Sequence, residues 1–149
     1  MTWMIESIRE APVAPEDVYR LYTDPSTWSA WGHNVRWARA DGPLAVGGIA
    51  DVKAGYGKVY PCRILRLEPD RAIELEVRPP LMKVINTYEV APIAAGSRIR
   101  HALEISGPLA GITKFIRLDR VYQGWLDEEV GKMIEMAAAR SNPPEVHRP

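Results

Sequence analysis

His101 and Tyr88 are the residues of this chain best placed to handle a proton. Over residues 98–106, Ile99, His101, Leu103 and Ile105 alternate with Arg98, Arg100 and Glu104, so a strand of period two sends His101 to the apolar face. In the preceding run Val84, Asn86, Tyr88 and Val90 form the matching inward set, with Lys83, Thr87 and Glu89 outward. A turn over residues 93–96 then sets Val90 against Ile99 and Tyr88 against His101, with opposed Cβ atoms about 4.5 to 5.5 Å apart. An imidazole beside a phenol and the Asn86 amide suits acid/base work on a carbonyl compound, Tyr88 and Asn86 holding the carbonyl or enolate oxygen. Asp119 falls in step with Phe115, Tyr122 and Leu126 on a helical stripe and is the candidate to orient His101. These readings compete with plain structural ones: an inward His with both nitrogens satisfied, a packed Tyr88, and an Asp119 solvated at the helix surface.

Other side chains would shape a site rather than react in it. Tyr60 and Cys62 share the inward face of a neighbouring strand if Ile64 points inward. Trp28 and Trp31, three apart on one helix face, and Trp125 would supply aromatic walls or a mouth, with Leu103, Tyr122 and Leu126 as further apolar contacts. The equally ordinary alternative is that the tryptophans anchor a small helix to a sheet. No metal site is expected: there are three His, one Cys and no HExxH spacing. No Ser sits in a GxSxG elbow, and the Gly55-Tyr56-Gly57 turn does not join a strand to a phosphate-binding helix, so no nucleotide or other cofactor is implied.

The elements that must position these residues follow from period and punctuation. Residues 3–10 alternate as a strand and are stopped by Ala11-Pro-Val-Ala-Pro15. Pro15 suits a first helical turn, Glu16 and Asp17 suit its dipole, and Val18, Leu21 and Tyr22 recur at helical spacing. Asp24-Pro25-Ser26-Thr27 restarts the chain into a second short helix carrying Trp28 and Trp31. Strand runs at 35–40, 49–54, 58–67, 72–78, 82–90 and 98–106 are separated by Gly, Pro and Asp turns, which predicts an antiparallel meander. From about 107 to 139, Ile112, Phe115, Tyr122, Leu126, Met133 and Ala137 trace one long amphipathic helix.

The segments APVAPEDVYRLYTDPSTWSAW, DGPLAVGG, RILRLEPDRAIELEV and GSRIRHALEISGPLAG, in this order and spacing, resemble the polyketide cyclase/dehydrase members of the START-like (SRPBCC) superfamily over nearly the whole chain. The resemblance implies a helix-grip α+β fold: an antiparallel sheet of about six to seven strands wrapped around a long C-terminal helix, with two short helices after the first strand and an internal cavity. Members of that superfamily bind lipids, hormones and polyketides, or catalyse cyclisation and dehydration in the same type of pocket. The aromatase/cyclases among them use pocket Tyr, Arg and Ser groups. Here the stretch after the second helix reads Gly32-His-Asn-Val35, and those residues find no one-to-one match.

Composition narrows the partners. At 149 residues and 46% hydrophobic, the chain suits a single domain over residues 1–141, followed by a flexible Pro-rich tail over 142–149. Nineteen basic and nineteen acidic residues leave no net field to attract nucleic acid or an anionic membrane. Arg98, Arg100, Lys114, Arg117 and Arg120 read as scattered surface charge. The lone Cys62 and an N-terminus without secretory features point to the cytoplasm, and no run approaches the roughly 20 apolar residues of a membrane span. The expected function is binding of a small hydrophobic or aromatic molecule by a monomer or homodimer. A cyclase/dehydratase using His101 and Tyr88 is the enzymatic alternative. A protein-interaction module, its cavity plugged by Trp28, Trp31 and Trp125, is the third.

Overall fold

The structure is a computed structural model that describes residues 1–141, so the expected tail over 142–149 lies outside the described residues. Its elements run β1 Thr2–Ala11, α1 Pro15–Thr23, a 3-10 turn Pro25–Thr27, α2 Trp28–Trp31, β2 Val35–Ala40, β3 Ile49–Ala54, β4 Val59–Glu68, β5 Ala72–Val77, β6 Lys83–Ile93, β7 Gly96–Ser106, α3 Ala110–Phe115 and α4 Leu118–Ser141. The seven strands form one antiparallel sheet in the order β1-β7-β6-β5-β4-β3-β2. The meander pairs each of β2 to β6 with its successor, and β1 returns to the far edge beside β7. This is the helix-grip arrangement: the sheet's concave face holds α4, with α1 and α2 packed at its side. Bulges between Val35 and Trp37 and between Ile64 and Arg66 bend the strands away from a flat sheet.

The hairpin register sets the site. Val90 pairs with Ile99, Tyr88 with His101, Asn86 with Leu103 and Val84 with Ile105. The turn is tighter than a four-residue loop: Ile93 still pairs with Gly96, leaving Ala94 and Ala95 at the tip. Gly96 has φ +142, and a Cβ there would lie 2.2 Å from the Ala11 carbonyl oxygen. Only glycine lets this turn close against the end of β1. On the outer face, Arg100 pairs with Glu6 and Glu89, Arg98 with Glu10, and Arg66 with Glu74, so these basic residues are neutralised across strands.

The long helix differs from its sequence reading. It begins as α3, breaks at Ile116 and Arg117, and restarts as α4. Arg117 takes a left-handed conformation, φ 65, which no continuous α-helix contains. The break shifts the helical phase, so Ile112 and Phe115, expected on the inward stripe, are exposed, Phe115 by 85%. Tyr122, Leu126, Met133 and Ala137 keep the inward stripe of α4, with Leu126, Met133 and Ala137 fully buried.

Candidate functional site

Two groups of buried apolar residues make up the core. The larger joins α1, α2 and α4 to the middle strands through Leu21, Tyr22, Trp28, Trp31, Ile73, Val90 and Met133. The smaller gathers Trp3, Ile105 and Ala110 at the other end. A cavity of about 380 Å³ is lined by members of both, including Trp28, Trp31, Leu75, Tyr88 and Ile105. Its size falls within the range of small-molecule sites, and its walls are mostly aliphatic and aromatic. Trp28, Trp31 and Trp125 line the cavity without plugging it.

Local sequence explains the aromatic wall. The Asp24 side chain accepts from the Ser26 amide at 3.1 Å and starts the 3-10 turn. Trp28 Nε1 donates to the Tyr22 carbonyl at 3.2 Å, and Trp31 Nε1 donates to Thr27 Oγ1 at 3.1 Å. Each indole therefore buries its ring with its polar atom satisfied. Across the cavity, Tyr122 is tilted against Trp125 at 4.7 Å between ring centroids, and Trp125 stacks on His33 at 4.1 Å. Near the mouth Tyr56 and Tyr60 share a short hydroxyl–hydroxyl hydrogen bond, and Tyr56 is largely exposed.

Every ligand-contact candidate read from the sequence, namely Trp28, Trp31, Tyr60, Asn86, Leu103, Tyr122 and Leu126, lines this cavity, as does Tyr88. The Tyr88 hydroxyl and the Asn86 amide make no hydrogen bond among the described residues, so both are available to a ligand. Burial pushes the Tyr88 phenol well above its ordinary range, with Glu129 adding to the effect, so it stays a neutral donor.

His101 is not part of the lining. It is fully buried behind Tyr88, in edge-to-face contact at 4.6 Å between centroids, and is enclosed further by Tyr22 and Trp31. Its Nε2 lies 3.2 Å from the Tyr22 hydroxyl. Burial lowers its pKa to about 3, so the ring is neutral through the ordinary pH range. The partner expected for it, Asp119, is elsewhere. Asp119 stands in the first turn of α4, bound to Lys114 Nζ at 2.9 Å and to Arg117 at 3.5 Å. The Lys114 hydrogen bond holds its carboxyl below the usual range, and the break at Arg117 is what turns it toward these two cations.

Glu129 was not singled out in the sequence. It is buried on α4 and lines the cavity. Burial raises its pKa to about 8, although the His33 backbone N–H donates to it. No basic side chain pairs with it among the described residues. The signal lay in the helical spacing: position 129 falls three after Leu126 and four before Met133, on the apolar stripe itself. Tyr22 was recognised only as an apolar helix position. Cys62 lines the same cavity, its thiol pushed up to about 12 by burial, which makes it a poor nucleophile. Among the described residues no group of three His, Cys, Asp or Glu side chains is arranged to hold a metal ion, and no helix is long and apolar enough to cross a membrane.

No protein of curated function matches this chain by sequence. Solved structures do match its fold. A protein of unknown function from Staphylococcus aureus superposes with a TM-score of 0.77 at 14% identity, covering 95% of this chain and 96% of that one. The di-domain ARO/CYC protein StfQ from the steffimycin biosynthetic pathway gives 0.73 at 13% identity, covering 94% of this chain and 52% of that one. Norcoclaurine synthase of Thalictrum flavum, a point mutant in complex with a transition-state analogue, gives 0.71 at 15% identity, covering 95% and 98%. At such identities the likeness shows the fold alone. The sequence profile of one family nevertheless matches residues 2–139, nearly the full length, and by that match the chain belongs to the polyketide cyclase/dehydrase and lipid transport family.

Proposed function

We infer that this protein binds a small hydrophobic or aromatic molecule in the cavity between α4 and the sheet. One observation carries the reading: about 380 Å³ of space enclosed by aromatic and aliphatic side chains, with a few polar groups directed at it. A dry apolar wall stabilises an apolar ligand by about 25 cal/mol per Å² of surface removed from water, and the polar groups orient it. The family's cyclase and dehydrase members make turnover a second reading, favoured by the unpaired Tyr88 hydroxyl and Asn86 amide on one wall. Both readings place the ligand against Tyr88. His101 would then support the position of Tyr88 without touching the ligand.

Titration with N-phenyl-1-naphthylamine, a neutral probe that brightens in apolar surroundings, tests the binding reading. Saturable one-to-one enhancement is expected. Leu103→Trp, which fills the cavity from its floor, is expected to weaken it at least about tenfold, a loss of roughly 1.4 kcal/mol. Enhancement that does not saturate, or that Leu103→Trp leaves unchanged, would place the probe on the surface and refute the reading. Native against denaturing mass spectrometry of the purified protein would then identify the chemical class of any co-purifying ligand.

A further inference from the structure

We propose that Glu129 is the ligand-selecting acid of the cavity: its carboxyl group donates a hydrogen bond to a carbonyl oxygen of an uncharged aromatic ligand, with Tyr88 and Asn86 as companion donors on the facing wall. The inference rests on the cavity being a ligand site and names the class of ligand it takes.

The geometry is that of a built site. Glu129 projects from α4 into a cavity whose walls are mostly apolar, without a cation to balance a charge there. Its one backbone partner is the His33 N–H at the α2–β2 turn, which occupies an acceptor position and leaves the carboxyl hydrogen free. The titratable and charged groups around it are Tyr22 from α1, His33 from the α2–β2 turn, Cys62 from β4, Tyr88 from β6 and, on its own helix, Glu128 and Lys132. His101 on β7 lies behind Tyr22 and Tyr88, and Arg9 of β1 lies beside Gly131, two residues along α4. Lys132 is committed to Glu128, which also meets His33. At neutral pH burial therefore keeps Glu129 protonated. The cavity then presents hydrogen-bond donors from two sides and no fixed charge. A hydrocarbon leaves those donors unpaired. An anionic ligand meets a carboxyl that can itself ionise, with no basic side chain paired to it among the described residues and the His33 ring already engaged with Glu128. A neutral ring bearing a carbonyl satisfies the donors and fills the apolar space.

The test compares 2-acetylnaphthalene with 2-isopropenylnaphthalene, which carries a CH2 group where the ketone has oxygen. Affinities are measured by calorimetry for the wild-type protein, Glu129→Gln and Glu129→Met. At pH 6.5 the wild type is expected to prefer the ketone by about five- to tenfold, the worth of one net hydrogen bond. At pH 9 that preference should fall to the part that Tyr88 and Asn86 supply, because the Glu129 carboxylate can no longer donate. Glu129→Gln, whose amide still donates, should keep the full preference at both pH values, and Glu129→Met should show only the reduced preference at both while binding both probes. Equal affinities in the wild type at pH 6.5, or a preference undiminished in Glu129→Met, would overturn the role of Glu129 and leave the cavity reading standing. Failure of both probes to bind the wild type would overturn the cavity reading and this inference with it.

Discussion

The Tyr22 hydroxyl has one hydrogen and two neighbours, the Glu89 carbonyl oxygen at 3.4 Å and His101 Nε2 at 3.2 Å. A carbonyl only accepts. Both contacts are used when Tyr22 donates to Glu89 and His101 donates through Nε2–H to the Tyr22 oxygen. His101 Nδ1 is then a bare lone pair, and it has no partner among the described residues. Burying a lone pair costs less than burying an unpaired N–H, so this tautomer suits the apolar cage. Tyr22→Phe removes the acceptor that Nε2–H has among the described residues and is expected to lower stability by about 1–3 kcal/mol in urea unfolding. Binding of the naphthylamine probe should be unchanged, because neither Tyr22 nor His101 lines the cavity. Lost binding with unchanged stability would instead give these residues a direct role at the ligand. The inward placement of His101 was legible from alternation along one strand. Its partner was not, since Tyr22 is 79 residues away and only packing of α1 on the sheet brings them together.

At the scale of elements, strands were read more reliably than helices because their punctuation is local. Turns rich in Gly, Pro and Asp separate the strands, and β2 and β3 run over the residues that alternation marks. The β6–β7 hairpin carries the site, and its turn depends on a glycine with φ +142 pressed against the Ala11 carbonyl. Gly96→Ala combines a disfavoured backbone with a clash against rigid backbone atoms. It is expected to destabilise by more than about 2 kcal/mol, read from the urea midpoint at unchanged slope. A loss below about 0.5 kcal/mol would mean that the turn is loosely held. The helix break was invisible for a related reason. No Pro or Gly marks residues 116 and 117, and Arg117 adopts φ 65 only where the chain must redirect α4 across the sheet. Glu129 differs: its place on the apolar stripe is legible from spacing, but its desolvation depends on the strands that α4 crosses.

For the whole molecule, two buried titratable groups in and beside the cavity, Glu129 and His101, act on stability in opposite directions. The folded protein holds the Glu129 proton up to about pH 8, whereas the unfolded chain releases it near 4.5. The native state therefore binds more protons in that window, and stability falls as pH rises through it, by up to about 1.4 kcal/mol per pH unit. His101 stays neutral down to about pH 3, whereas the unfolded chain binds a proton near 6.5. Here the unfolded state binds more protons, so stability falls as pH drops through that window. Between about pH 4.5 and 6.5 the two slopes oppose each other and a plateau is expected, with loss toward acid below it and toward pH 8 above it. Denaturant unfolding across pH would show this, and Glu129→Met should remove the alkaline slope while leaving the acid one. A wild-type profile flat from pH 6.5 to 8 would mean that Glu129 ionises at its ordinary pH.

Taken by itself, the sequence determined the strand order in time, the faces of the strands, the Tyr88–His101 register and the family, because alternation, turn chemistry and motif spacing are properties of neighbouring residues. Tertiary structure alone decided the cavity's volume, the enclosure of His101 behind Tyr88, the turning of Asp119 toward Lys114 and Arg117, and the desolvation of Glu129. Those depend on where α4 restarts and crosses the sheet, and on space left between two cores that meet around it, which no local pattern encodes.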